Sequence, residues 1–172
     1  WLGCVRSKPP SQSIALPPGF DAALRIITAR LADCPAEWVI TGSVGMVLQG
    51  LPLRPGDIDL QSDGQGVVAM QERLAEYITQ PVFLKSGAQI QSYFGRLEIE
   101  GVQVELMGDM QFRSPGEDWT APGDVLEHRI FWSYSGMRLP LLDLHYEAEA
   151  YRRMGRLEKA AMIEAWLREH DG

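Results

Sequence analysis

Short stretches of this chain alternate apolar and charged residues, and that alternation constrains the fold more than any other feature. Residues 57–60 read Asp-Ile-Asp-Leu, which predicts a β-strand with one acidic face and one apolar face. The pattern returns over residues 91–107, on both sides of Glu100-Gly101, a dipeptide that suits a two-residue hairpin turn. The sequence therefore predicts a sheet that contains antiparallel pairs and buries one face.

Helical patterns alternate with strand patterns in the first half of the chain, and hairpins follow. The predicted helices cover residues 22–31 with Asp21 as N-cap, 44–49, 67–78, and two stretches that follow Asp143 and are separated by Gly155. The predicted strands cover residues 38–41 and 57–60, the hairpin over 91–107 and a second hairpin around Ser135-Gly136. This order predicts an α/β or α+β fold in which helices flank a central mixed sheet.

The length of 172 residues fits one domain. We expect residues 1–18, which include several prolines, to form a flexible N-terminal arm. Residues 19–172 are then a single domain with a helical C-terminal end.

The composition excludes several classes of partner. A net charge of −7 gives no general attraction to a phosphate backbone, so duplex DNA is not an expected partner. No apolar run approaches the roughly 18 residues that span a bilayer, so no membrane partner is expected either. The chain has two cysteines, too few for a disulfide framework, and this favours a cytoplasmic location.

The most informative residues are three carboxylates. Asp57 and Asp59 project from one face of a predicted strand, and a divalent cation such as Mg²⁺ would neutralise their repulsion. Glu105 lies between apolar residues in a second strand and repeats the pattern. If the strands are neighbours, three carboxylates converge, enough to hold two Mg²⁺ ions and accept a proton from an attacking hydroxyl. The alternative is a solvated polar face of the sheet.

A candidate phosphate site lies earlier in the chain than the three carboxylates. Gly42-Ser43 stands between a predicted strand and a predicted helix, where glycine permits close approach of a ligand and free N–H groups favour anions. The second glycine and the lysine of a Walker loop are missing. Taken alone, Ser43 is better explained as an ordinary helix N-cap than as a phosphate contact.

The order and spacing of Thr41-Gly42-Ser43, residues 54–60 and Val104-Glu105-Leu106 resemble the polymerase-beta-like nucleotidyltransferase superfamily. The small size is similar to its minimal bacterial branch, which includes aminoglycoside and lincosamide nucleotidyltransferases and abortive-infection toxins. The resemblance implies that Gly42 and Ser43 bind a nucleoside triphosphate. It also implies that Asp57, Asp59 and Glu105 are the catalytic and metal-binding residues.

The register of the predicted hairpin identifies one more candidate site residue, Arg96. With Glu100-Gly101 as the turn, Arg96 pairs with Glu105 and faces the same side of the sheet. Arg96 either forms an ion pair with Glu105 or reaches a triphosphate oxygen.

Two basic residues follow the Gly155 break. Arg156 and Lys159 are three positions apart on one helix face and could contact one anion together. A similar element in minimal nucleotidyltransferases places a basic residue near the nucleotide. The alternative is a solvated pair with Glu158 and Glu164 as surface partners.

The expected activity is metal-dependent transfer of a nucleoside monophosphate from a nucleoside triphosphate, ATP or another, to a hydroxyl group, with release of pyrophosphate. The acceptor is a small molecule, or RNA or protein if the chain is toxin-like, and residues 108–122 are the expected acceptor-binding loop. A catalytically inactive member that binds nucleotide or a partner protein is the alternative. The sequence leaves base preference and oligomeric state open.

Overall fold

A computed structural model describes residues 14–170, and these residues form a seven-stranded sheet with helices on both faces. The strand order is β3-β4-β5-β2-β1-β7-β6. The strands are β1 (Val39–Thr41), β2 (Ile58–Ser62), β3 (Ile78–Ser86), β4 (Ile90–Ile99), β5 (Val102–Phe112), β6 (Arg129–Tyr134) and β7 (Met137–Leu142). The α-helices are α1 (Phe20–Leu31), α2 (Gly42–Leu48), α3 (Gly64–Arg73), α4 (Leu144–Arg153) and α5 (Leu157–His170).

The sheet is mixed, as the sequence predicts. β2 pairs parallel with β5 and antiparallel with β1, while β1 pairs parallel with β7. Both predicted hairpins are present, as β4–β5 and β6–β7. Glu100 and Gly101 both have positive φ, as do Ser135 and Gly136, which is the backbone that tight hairpin turns require.

The main core lies on one face of the sheet. The apolar residues of β2 and β5, such as Ile58, Leu60 and Leu106, are fully buried there with α1 and α3. Period-two alternation sends the intervening carboxylates to the opposite face. The core thus fixes which face of the sheet carries the acidic residues.

The C-terminal helices build a second apolar cluster against α2. Leu144, Ala148 and Tyr151 of α4 pack there with Ala160 and Ile163 of α5. Gly155, with φ 74°, ends α4 in a Schellman arrangement. None of the helices among residues 14–170 is long and apolar enough to cross a membrane.

Several predicted helix boundaries are wrong, among them those of α1 and α3. Gly19, not Asp21, occupies the N-cap of α1, and Asp21 lies in the first turn. The helix predicted over 67–78 ends at Arg73, and Ile78 begins the edge strand β3. Pro81 interrupts helical hydrogen bonding but is tolerated in an edge strand.

The N-terminal arm lies largely outside the described residues, which begin at Ile14. Within the described part, Ile14 and Leu16 pack against the main core. The expected acceptor loop also needs a new boundary, because β5 continues through Gly108 to Phe112.

Candidate active site

Three carboxylates converge where β2 and β5 run side by side. Asp59 of β2 is opposite Glu105 of β5 in the parallel register, and Asp57 lies just before β2. One carboxylate oxygen from each residue lies within 4.8 Å of the other two. The structure therefore brings together the three acids that the sequence singles out.

The electrostatics of this cluster are unfavourable without a cation. Burial, together with repulsion from Asp57, Glu105 and Glu147, raises the pKa of Asp59 to about 8, against a smaller lowering by Lys159. Three carboxylate ligands so close together match the oxygen donors that Mg²⁺ prefers. The residues present fit a divalent metal site, and ion binding would relieve the repulsion.

Gly42 lies directly beside the cluster, and its geometry requires glycine. Its φ is 70°, and a Cβ atom added there would overlap the Asp59 carboxylate. The turn at the start of α2 is thereby packed against the acids.

Ser43 is not the N-cap that one sequence interpretation suggests. Thr41 holds the N-cap position of α2, and Ser43 is the second residue of the helix and half-buried. A capping role for Ser43 is therefore wrong, and a role for its hydroxyl toward a ligand stays a prediction.

Glu147 of α4 is a fourth acid that the sequence analysis missed. Its side chain is 4% exposed, and the hydroxyl of Thr41, 2.8 Å away, donates to its carboxylate. The backbone N–H of Gly42 donates to Oε1 at 3.1 Å. Burial raises the pKa of Glu147 to about 7, although these hydrogen bonds oppose the shift.

A sequence signal for Glu147 does exist. Leu144, Ala148 and Tyr151 form the buried stripe of α4, and Glu147 falls on that same stripe at helical spacing. A charged residue on an apolar helix face is unusual unless it has buried partners. Thr41 and Gly42, more than 100 positions earlier, supply those partners.

Arg96 lies opposite Glu105, so the predicted hairpin register is confirmed. Its Nε donates to Oε1 of Glu105 at 3.3 Å, and Gln103 donates to the same oxygen at 3.1 Å. The structure thus shows the ion pair, the simpler of the two predicted roles. Contact of Arg96 with a triphosphate stays a prediction.

Arg156 and Lys159 reach toward the site from the start of α5. Arg156 lines the cleft that contains the acids, and the charge of Lys159 lowers the pKa of both Asp59 and Glu147. Nζ of Lys159 lies 5.2 Å from the ring centroid of Tyr151. Glu164, expected as a surface partner, forms its ion pair with Arg152 instead.

A cleft of about 430 Å³ extends from the acids between α4 and the distal half of the β4–β5 hairpin. Its lining includes Thr41, Gly42, Asp59, Glu105 and Glu147 at one end. The volume lies in the range typical of small-molecule sites. The arrangement can hold a cation and an organic ligand next to each other.

Comparisons with known proteins identify a family from the sequence and the fold from the structure. A sequence profile described as aminoglycoside-2''-adenylyltransferase matches residues 23–164. A crystal structure of a Thermotoga maritima protein, described as a candidate nucleotidyltransferase, is 37% identical. It covers 91% of this chain and 97% of that chain, with a TM-score of 0.79. The lincomycin-bound lincosamide adenylyltransferase LnuA covers 83% of this chain and 97% of that chain at 13% identity and a TM-score of 0.52. No curated protein sequence matches this chain significantly.

Proposed function

This chain belongs to the aminoglycoside-2''-adenylyltransferase family and is a nucleotidyltransferase, and we propose that it transfers a nucleoside monophosphate, with ATP as donor, to a hydroxyl group of a small molecule. The observation that carries the proposal is the convergence of Asp57, Asp59 and Glu105 beside the Gly42 turn. The family name supports ATP as the donor, and lincomycin bound to LnuA supports a small-molecule acceptor.

The reaction forms one bond and breaks one. The acceptor oxygen attacks the α-phosphorus, and the bond from that phosphorus to the bridging oxygen of the β-phosphate breaks, which releases pyrophosphate. The acceptor proton passes to a carboxylate at the site.

Asp57, Asp59 and Glu105 are the proposed metal-binding residues, and two Mg²⁺ ions would balance their charge. When bound, Mg²⁺ would stabilise the negative charge that develops on the transferred phosphate. Glu105, whose carboxylate also accepts from Arg96 and Gln103, would orient the acceptor hydroxyl or take its proton.

Gly42, Ser43, Arg96, Arg156 and Lys159 are the proposed triphosphate contacts. Gly42 and Ser43 begin α2 beside the acids, while Arg156 and Lys159 approach from α5. The positive charges of Arg96, Arg156 and Lys159 would offset the negative charge of the phosphates without any covalent step. A catalytically inactive member is disfavoured because all three carboxylates are present and converge.

The test is transfer from each of the four α-labelled nucleoside triphosphates, with Mg²⁺, to a panel of hydroxyl-bearing antibiotics and, separately, tRNA. Labelled product should form with a small acceptor and be lost in Asp59→Asn. Glu98→Gln is the matched control, because Glu98 is an exposed carboxylate on the same hairpin, outside the cluster. Wild-type transfer by Asp59→Asn, or Mg²⁺-independent binding of triphosphate, would contradict the proposal.

A further inference from the structure

The cleft beyond the acids is built mainly from apolar side chains. β4 and β5 contribute Ile90, Phe94, Met107, Met110 and Phe112. All of these except Phe94 are only half-buried, so apolar surface lines an open cleft instead of filling a core. Such surface is available to an apolar ligand.

A β-bulge in β5 produces this lining. Asp109 and Met110 together face Ser92, and Asp109 has φ 48°. Before the bulge, Glu105 and Met107 point into the cleft. The extra residue of the bulge shifts the alternation of side chains between the two sheet faces by one position. Met110 and Phe112 therefore point into the same cleft and not toward α3.

The other side is closed by Tyr146 and Ala150 of α4 and by its C-cap residue, Met154. Methionines therefore contribute from both walls, through Met107, Met110 and Met154. Flexible thioether side chains adapt to flat or irregular apolar groups and make favourable contacts with aromatic rings.

The charges along the cleft are distributed unevenly. Among the described lining residues, the carboxylates are Asp59, Glu105 and Glu147, and all three lie at the catalytic end. The other charged lining residues are Lys85 and Arg156, both cationic. A polycationic aminosugar would need carboxylates along its length and would meet apolar surface and the cationic Lys85 instead, because Arg156 is assigned to the triphosphate.

We propose that the acceptor is an uncharged or anionic hydroxyl compound with an apolar or aromatic body, bound between α4 and the bulged end of β5, and not a polycationic aminoglycoside. The inference rests on the proposed function, because it assigns the acceptor of that same site. The hydroxyl would lie at the Glu105 end and the apolar body against Met110 and Phe112.

The test measures equilibrium binding by calorimetry, with Mg²⁺ and a non-hydrolysable ATP analogue present. The probes are 4-methylumbelliferyl glucoside, a neutral aromatic compound with hydroxyl groups, and tobramycin, a polycation. We expect the glucoside to bind at least about tenfold more tightly than tobramycin, because only the glucoside matches the apolar lining. Tighter binding of tobramycin, or no binding of the glucoside, would overturn the inference.

Two variants of the cleft test where the glucoside binds. Met110→Glu places a charge in the apolar lining, and Ala150→Trp fills the cleft from the other wall in case the first variant folds poorly. Each should weaken glucoside binding by at least about tenfold. Leu84→Glu is the control, since Leu84 is 55% exposed on the other face of the sheet and adds the same charge. Unchanged affinity in both cleft variants would contradict the site.

Failure of the acceptor assignment can be distinguished from failure of the proposed function. Asp59→Asn should still bind the glucoside while losing transfer, because Asp59 lies at the catalytic end and not against the apolar body. Loss of transfer alone therefore leaves the acceptor assignment standing. If Asp59→Asn abolished glucoside binding while Met110→Glu bound the glucoside as the wild type does, the acceptor would not lie against the apolar lining.

Discussion

Replacing the buried Glu147 should stabilise this protein in alkaline solution and leave it unchanged in mild acid. The perturbation is Glu147→Gln, which keeps the side-chain shape and removes the charge. Its carbonyl oxygen can occupy the position of Oε1, which accepts from both the Thr41 hydroxyl and the Gly42 N–H. The amide group can donate to the Thr41 oxygen, so no buried polar atom loses its partner.

The expected magnitude follows from the pKa of Glu147, which burial raises from an ordinary 4.5 to about 7. Between those values the folded state binds more protons than the unfolded state, so the free energy of unfolding falls as the pH rises. At about 1.4 kcal/mol per pKa unit, full ionisation costs the wild type about 3 kcal/mol by roughly pH 8. Glu147→Gln avoids that cost.

The assay is urea unfolding at about pH 4 and pH 8 with a chelator present, so that bound metal does not contribute. Glu147→Gln should match the wild type near pH 4 and exceed it by up to about 3 kcal/mol near pH 8. Glu147→Ala is the contrasting variant. It leaves Thr41 and Gly42 without their acceptor and should lose about 2–5 kcal/mol at both pH values. A Glu147→Gln variant less stable than the wild type near pH 8 would refute the reasoning.

Three further variants probe the nucleotide end of the site. Ser43→Ala should raise the apparent KM for triphosphate without changing the Tm, because Ser43 is not a cap; a lower Tm with unchanged KM would reverse that conclusion. Gly42→Ala should lose activity and at least about 1 kcal/mol of stability in urea unfolding, since its φ of 70° disfavours a side chain; wild-type stability would show that the turn adapts. Lys159→Glu should weaken triphosphate binding, most strongly at low salt, while the control Arg168→Glu at the far end of α5 should not; equal effects would indicate only net charge.

The sequence predicts the strands that carry the acids because local patterns determine them. Alternation over residues 57–60 sets which side chains leave the core, and the Glu100-Gly101 turn fixes the β4–β5 register. Those two facts are sufficient to pair Arg96 with Glu105. The mixed sheet follows from the order of helices and hairpins.

The remaining features depend on contacts between distant parts of the chain. Glu147 is explained only by Thr41 and Gly42, which lie more than 100 positions earlier. Gly108 directly precedes the bulge at Asp109, but a lone glycine in a strand does not determine how the strand continues after it, so the long apolar wall of the cleft was not predicted. Ile78 fits the helical spacing of α3 but pairs with Leu97 in β4, a contact that the local pattern does not contain.

The central claim is that Asp57, Asp59 and Glu105 hold the metal that orients a nucleoside triphosphate. The most direct measurement is a crystal structure with Mn²⁺ and a non-hydrolysable ATP analogue, in which anomalous scattering locates the ions. Our account predicts an ion about 2.1 Å from oxygens of these carboxylates, as for Mg²⁺, with the α-phosphate on the same ion. A triphosphate bound away from the three acids, or a carboxylate cluster that stays without metal at saturating Mn²⁺, would contradict it.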